Sequence, residues 1–170
     1  MNIPNILTIV RFILIPLFAL SLLNGQYIAA ACIFIAAGLT DVLDGYIARR
    51  YDMITSWGKL ADPAADKFMV ITALTVLTIQ GKIHIAVIVI MVAKEIMMGI
   101  GSLIIYRNNR RIQSAGWFGK LATVVFYCAI VLIILGSPYA GTLISLAVAA
   151  ALFAFARYLM IYVSLSRGGD

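Results

Sequence analysis

Charge is scarce in this sequence. Only 12% of its 170 residues are Asp, Glu, Lys or Arg, about half the share of an ordinary soluble domain. The two cysteines, Cys32 and Cys128, lie far apart in apolar runs and lack the spacing of a metal site. The single histidine, His84, is expected near the outer membrane interface and is not expected to be a ligand. These absences exclude a water-facing domain and argue against a histidine- or cysteine-based metal centre.

Hydrophobic residues, by contrast, make up 64% of the chain and fall in long runs, which indicates a bilayer environment. The net charge is +6, from 13 basic and seven acidic residues. No basic stripe interleaved with exposed aromatic residues accompanies it, so a nucleic acid is not expected as a partner. The positive charges are better explained as cytoplasmic helix ends that favour anionic membrane lipids.

Breaks in hydrophobicity predict an all-α polytopic membrane protein with six transmembrane helices, in one domain over residues 1–170. The helices are expected at about 4–23, 28–50, 58–80, 83–107, 116–136 and 139–165. No basic segment precedes the first apolar stretch and no small-residue cleavage site follows it, so this helix is expected to remain uncleaved. Basic residues gather at the second and fourth connectors and at the end of the chain, which predicts that both termini are cytoplasmic.

Four of the seven acidic residues lie inside or at the mouth of apolar helices. Asp41 and Asp44 are spaced i, i+3 on the second helix, and Asp62 and Asp66 are spaced i, i+4 on the third. Each spacing puts the pair on one helix face. Because a short cytoplasmic connector makes the two helices antiparallel, the pairs are expected to meet at comparable depth.

Four carboxylates at low dielectric require a counter-charge, since even one isolated charge there costs at least ~2.5–3.5 kcal/mol. With no histidine or cysteine nearby, one or two Mg²⁺ or Mn²⁺ ions bound by oxygen are the expected cations. Two ions sharing carboxylates would suit a pyrophosphate substrate. A single aspartate would fit a structural hydrogen bond or a proton relay equally well, whereas two facing pairs favour a metal site.

The residues around the aspartates fit a phosphate ligand. Gly45 and Ala48 keep their helix face small, so a ligand can come close. Arg49 offers a guanidinium fork to phosphate. Gly58 opens the third helix, whose N-terminal amides would face an anion.

Written out, these positions read D-x2-D-G-x2-A-R-x8-G-x3-D-x3-D from Asp41 to Asp66. This pattern resembles the full motif of the CDP-alcohol phosphotransferase family, and the size and six-helix layout are similar too. The resemblance implies a usually dimeric helical bundle in the cell (inner) membrane, with a polar cavity open to the cytoplasm. It implies that Asp41, Asp44, Asp62 and Asp66 hold the metal and that Asp66 is the general base. It also implies that Asp44, Gly45, Ala48, Arg49 and Gly58 bind the donor, CDP-diacylglycerol.

The opening stretch, from Asn2 to Arg11, is similar to the bacterial branch of the family that uses glycerol 3-phosphate and yields phosphatidylglycerophosphate and CMP. There Asn5, Thr8 and Arg11 would lie near the donor phosphates, although anchoring at the membrane interface is an open alternative. A dianionic acceptor needs a basic pocket, for which the candidates are Lys94, Arg107, Arg110, Arg111 and Lys120. The cluster from Arg107 to Arg111 would serve equally well as a positive-inside anchor.

Two other functions stay open. A cardiolipin synthase of the same fold, with phosphatidylglycerol as acceptor, would need fewer basic contacts. Ala122, where the branch above usually carries a second lysine, favours that alternative. A small cation transporter would spread its carboxylates along the membrane depth, whereas these four cluster beside glycines and an arginine.

Overall fold

Helices account for the regular structure of this chain. The computed structural model describes residues 3–51, 58–107 and 117–167. Within these ranges there are six α-helices and no strand: α1 Ile3–Leu23, α2 Tyr27–Arg50, α3 Gly58–Ile79, α4 Ile85–Arg107, α5 Trp117–Ile134 and α6 Ala140–Arg167. The predicted all-α class is confirmed, and the predicted ends agree to within about two residues.

Several of these helices suit a bilayer by length and apolar character. Among the described residues, Asn5–Leu23, Tyr27–Ile47 and Ala140–Arg157 are long and apolar enough to cross a membrane. These helices identify a polytopic membrane protein. Helix α3 carries charged side chains in its first half, at Asp62, Asp66 and Lys67, and its span, like those of α4 and α5, stays a prediction.

The chain divides into two compact units. One consists of Met1–Ile83 with Ile134–Gly136, and the other of His84–Ile133 with Ser137–Asp170. In the first unit α1 packs against both α2 and α3, and in the second α4 packs against α6. The candidate aspartates all belong to the first unit, and the predicted acceptor residues belong to the second.

Helix α1 forms the centre of the first unit through a fully buried apolar stripe. Phe18 of α1 and Phe34 of α2 are both buried, with ring centroids 5.5 Å apart. Small side chains are buried in the same unit, including Ala37 of α2 and Ala65 of α3. Small residues let helix backbones approach closely in a membrane protein, where apolar burial alone gives little drive for association. This packing fixes α1 between the two helices that carry the aspartates.

Glycines in the left-handed conformation end three of the helices. Gly25, Gly81 and Gly136 have φ of 73°, 70° and 70° and follow α1, α3 and α5. After Gly81 the amide of Lys82 donates to the carbonyl of Leu77 at 2.9 Å, the six-to-one bond of a Schellman cap. The turns at Asn24-Gly25, Gln80-Gly81 and Gly136-Ser137-Pro138 each end a helix through the glycine.

Replacing Gly81 by alanine tests the conformational role of this cap. A Cβ there would meet nothing within 4 Å, so the expected loss of about 1–2 kcal/mol comes from the positive φ alone. Thermal unfolding in detergent should show a lower Tm. The matched control is Gly99→Ala inside α4, where a Cβ also meets nothing within 4 Å and stability should rise by about 0.5–1 kcal/mol. Equal effects of the two substitutions would contradict the cap assignment.

Candidate functional site

A buried arginine joins the first pair of aspartates. Arg11 of α1 is fully buried, with its side chain 0% exposed. Its Nη1 donates to Oδ1 of Asp41 at 2.7 Å, and its Nη2 donates to Oδ2 of Asp44. One guanidinium therefore bridges the two carboxylates that stand i, i+3 on α2. Charge-assisted contacts of this kind are among the strongest that a side chain makes.

The second pair of aspartates comes to the same place from α3. Thr8, one turn before Arg11 and also buried, donates its hydroxyl to Oδ1 of Asp62. Nη1 of Arg11 also lies 3.4 Å from the main-chain carbonyl oxygen of Asp62. Thr8 and Arg11 share a face of α1 because they are spaced i, i+3. That face holds α2 and α3 together through polar contacts.

The fourth aspartate, Asp66, is half-buried one turn after Asp62 on α3. Its charge and that of Asp62 would repel the charge of Asp41. Burial varies across the group, since the side chain of Asp44 is 2% exposed and that of Asp41 is 40% exposed. Through Thr8 and Arg11 the structure brings Asp62 of the second pair next to Asp41 and Asp44 of the first. The cluster has a closed side at Asp44 and an accessible side at Asp41.

The predicted donor-binding residues lie on the same three helices. Asn5 is half-buried on α1, Gly45 is half-buried next to Asp44, and Gly58 is the buried first residue of α3. Ala48 and Arg49 fall in the last turns of α2, and their side chains lie outside what the structure describes. The helix start expected at Gly58 is confirmed.

The predicted acceptor residues belong to the second unit. Lys94 is half-buried on α4 and forms an ion pair with Glu95, with Nζ 2.6 Å from Oε1. Arg107 ends α4 and Lys120 lies in α5, but their side chains are outside the described part of the chain, as are Arg110 and Arg111 altogether. A role for these residues with an acceptor stays a prediction.

The sequence left the role of Arg11 open, and the structure places it at the centre of the cluster. One signal was available: Arg11 stands inside an apolar span whose own helix has no acidic residue. An arginine buried in such a span needs a partner from another helix. The first acid along the chain is Asp41, so the partner could have been sought there.

The donor atoms of this cluster match a hard divalent ion by chemistry. Four carboxylates and a threonine hydroxyl supply only oxygen, which Mg²⁺ and Mn²⁺ prefer. As placed, no three Asp, Glu, His or Cys side chains in the described ranges are grouped closely enough to hold a metal ion. The guanidinium of Arg11 holds Asp41 and Asp44 instead.

Comparison with known proteins agrees with the motif. The profile of the CDP-alcohol phosphatidyltransferase family matches residues 1–162, which include both aspartate pairs. The chain belongs to this family. Family membership makes it a phosphatidyltransferase enzyme and confirms the resemblance inferred from the spacing of the aspartates.

Individual relatives carry more specific names. The chain is 36% identical over 148 residues to a protein of Mycobacterium tuberculosis named "Probable phosphatidylglycerophosphate synthase", covering 84% of this chain and 69% of the relative. A "CDP-diacylglycerol--glycerol-3-phosphate 3-phosphatidyltransferase" of Haemophilus influenzae is 35% identical over 128 residues, or 72% and 69% of the two chains. One of the same name from Pseudomonas fluorescens is 49% identical over 80 residues, only 45% and 41% of the two chains.

Replacing Thr8 by valine tests the link between α1 and α3. Valine keeps the shape of threonine but removes the hydroxyl that donates to Asp62, so unfolding free energy should fall by about 1–3 kcal/mol. Unfolding in detergent micelles measures it. The control is Thr75→Val on α3, where the threonine is exposed and bonds its own helix at the carbonyl of Ile71. That change should stay within about 0.5 kcal/mol, and an equal loss in both variants would refute the role of Thr8.

Proposed function

We propose that this enzyme transfers the phosphatidyl group of CDP-diacylglycerol to glycerol 3-phosphate, giving phosphatidylglycerophosphate and CMP. The observation that supports this most directly is that Thr8 and Arg11 of α1 bind Asp41, Asp44 and Asp62 of two neighbouring helices, with Asp66 one turn after Asp62. Such a group of charges in a membrane helix bundle has a functional reason by default. The names of the relatives from Mycobacterium tuberculosis and Haemophilus influenzae support the choice of acceptor.

The proposed metal is Mg²⁺ or Mn²⁺, held by the four aspartates as one or two ions. When bound, it would supply positive charge that neutralises the donor's pyrophosphate and the oxygen that leaves. Oxygen ligands of this type fit a hard ion, and the accessible side of the cluster at Asp41 leaves a route for it.

The donor is proposed to bind along α1, α2 and the start of α3. Asn5 and Thr8 would meet it from α1, and Gly45, Ala48 and Arg49 from α2, beside Asp44. Gly45 leaves room for the nucleotide because it has no side chain, and Arg49 would pair with a phosphate. The first amides of α3, beginning at Gly58, would face a phosphate oxygen.

In the proposed reaction the acceptor hydroxyl attacks the β-phosphorus of CDP-diacylglycerol. A bond forms between that oxygen and phosphorus, the bond from phosphorus to the bridging oxygen breaks, and CMP leaves with the electron pair. Asp66 takes the proton of the hydroxyl as general base. Its position one helical turn after Asp62 would keep it beside the reacting groups.

The acceptor is proposed to bind at the basic residues Lys94, Arg107, Arg110, Arg111 and Lys120. Glycerol 3-phosphate is a soluble dianion, so its pocket must carry positive charge and open to the cytoplasm. We place both termini and the active site on the cytoplasmic side of the cell (inner) membrane, on the positive-inside distribution of basic residues. A homodimer is proposed from the family resemblance.

A second candidate acceptor is phosphatidylglycerol, which would make the enzyme a cardiolipin synthase of the same fold. The specific observation in its favour is Ala122, a small buried residue of α5 at a position where a further cation was expected for glycerol 3-phosphate. The two acceptors differ in solubility and charge, so one assay separates them.

The deciding assay follows CMP release from CDP-diacylglycerol in detergent micelles with Mg²⁺ or Mn²⁺. Glycerol 3-phosphate, phosphatidylglycerol or no acceptor is added in parallel, and a chelator arm tests the need for metal. Release that requires both metal and glycerol 3-phosphate is the expected result. Release with phosphatidylglycerol alone would overturn the acceptor and keep the site, and undiminished release with chelator would overturn the metal.

Asp66→Asn tests the general base. Asparagine keeps the size of the side chain but cannot accept the proton, so turnover should fall by about 10²–10⁴-fold. Binding of CDP-diacylglycerol, measured separately by calorimetry in micelles, should remain largely intact. Turnover like that of the wild type would refute the assignment.

Asp41→Asn provides the contrast on the other aspartate pair. The variant loses the negative charge of a proposed metal-binding carboxylate. It should therefore need a higher concentration of Mg²⁺ or Mn²⁺ for half-maximal activity, and a high metal concentration should partly restore that activity. A metal titration that matches the wild type would show that Asp41 does not serve as a ligand.

A further inference from the structure

Arg11 occupies the carboxylates that the proposed function assigns to a metal. Its Nη1 donates to Asp41 and its Nη2 donates to Asp44, both on α2, and its side chain is completely buried. Arg11 holds one oxygen of each carboxylate, Oδ1 of Asp41 and Oδ2 of Asp44. A divalent ion on the remaining oxygens would lie beside the buried guanidinium, and two cations at such short range repel each other strongly. The guanidinium and the ion are therefore competitors for Asp41 and Asp44.

Arg11 carries its positive charge on a side chain that is 0% exposed. It must keep an anionic partner, because an unpaired charge buried in a helix bundle is strongly unfavourable. If it leaves Asp41 and Asp44, another anion has to receive it.

A second feature of Arg11 indicates where that anion would bind. Its Nε–H is buried and has no hydrogen-bond acceptor among the residues that the structure describes. Buried donors are nearly always paired, so an orphan donor beside a functional cluster indicates an acceptor that arrives with a ligand. Phosphate oxygens are such acceptors, and a guanidinium can meet two of them through parallel donors.

We propose that Arg11 is a positioning residue that holds Asp41 and Asp44 while no divalent ion is bound, and that moves to the donor's phosphates when the ion takes those carboxylates. The proposal rests on the assignment of the aspartates to a metal under the proposed function. It adds an exchange of partners that couples the binding of metal and donor. Neither ligand then binds at full strength until the other is present.

The size of the coupling follows from how often Arg11 holds the cluster. If it does so in about nine of ten molecules, the apparent metal affinity is about tenfold weaker than the intrinsic affinity of the aspartates. A donor that draws Arg11 away removes that penalty and tightens metal binding. By reciprocity, the metal tightens donor binding by the same factor.

The test is Mn²⁺ binding to purified, chelator-treated protein in micelles, measured from the electron paramagnetic resonance signal of free Mn²⁺, with no turnover involved. Arg11→Met should bind Mn²⁺ about tenfold more tightly than the wild type, because the competing cation is gone. Its Tm without metal should be lower and its rise on adding Mn²⁺ larger. Added CDP should tighten Mn²⁺ binding more in the wild type than in Arg11→Met.

The control is Arg50→Met at the end of α2. Arg50 is exposed and contacts the ring and hydroxyl of Tyr46, so the variant loses the same charge without touching the cluster. Its Mn²⁺ affinity should match that of the wild type.

Arg11→Lys provides a variant that keeps the buried charge for the case that Arg11→Met does not fold. A lysine ammonium lacks the fork that bridges two carboxylates, so binding should fall between the wild type and Arg11→Met.

Each result bears on a separate part of the proposal. Mn²⁺ binding that is unchanged or weaker in both Arg11 variants would overturn the competition and leave the metal assignment standing. Equal tightening by CDP in the wild type and the Arg11 variants would overturn the movement to the phosphates. A wild type that binds no Mn²⁺ would overturn the metal assignment, and this inference with it.

Discussion

Burial of several carboxylates among apolar helices is the constraint on which this structure depends. Asp41, Asp44 and Asp62 stand close together in a helix bundle, and the side chain of Asp44 is almost fully shielded from water. Such a group is stable only if a cation and hydrogen-bond donors come with it. Arg11 and Thr8 supply both, and both come from a single face of α1. The polar contacts of the first unit are therefore arranged so that the positive charge of Arg11 offsets the negative charges of the aspartates.

The apolar packing of the first unit also keeps these polar side chains in position. Phe18 and Phe34 lock α1 to α2, and small buried residues such as Ala65 let α3 approach. Gln80 adds a bond from its Nε2 to the carbonyl of Leu22 at 2.7 Å, which ties the end of α3 to the end of α1. Three helices fixed in this way hold Thr8 and Arg11 opposite the aspartates. Precise placement matters because charged groups at low dielectric interact strongly over short distances.

Membership of the CDP-alcohol phosphatidyltransferase family gives this charge balance a chemical context. A site of the proposed kind, which would bind a pyrophosphate and a divalent ion, would change its own charge balance as these ligands enter and leave. An arginine that shares its carboxylates with the incoming cation can keep the buried charges paired at each stage. Among the proposed acceptor residues, Lys94 forms an ion pair with its neighbour Glu95.

The sequence by itself determined the class of fold, the helix ends and which aspartates share a helix face. Hydrophobic runs specify helices in a bilayer, glycines such as Gly81 mark where helices end, and the spacing from Asp41 to Asp66 places carboxylates on helix faces. These are local properties, so periodicity and turn chemistry reveal them. Only the tertiary structure decided that Arg11 forms ion pairs with Asp41 and Asp44. Arg11 and Asp41 are 30 residues apart in the sequence, and helix packing alone brings them together. Which residues pair between two helices depends on the rotation of each helix about its axis and on its depth in the membrane. The spacing of residues along one helix specifies neither.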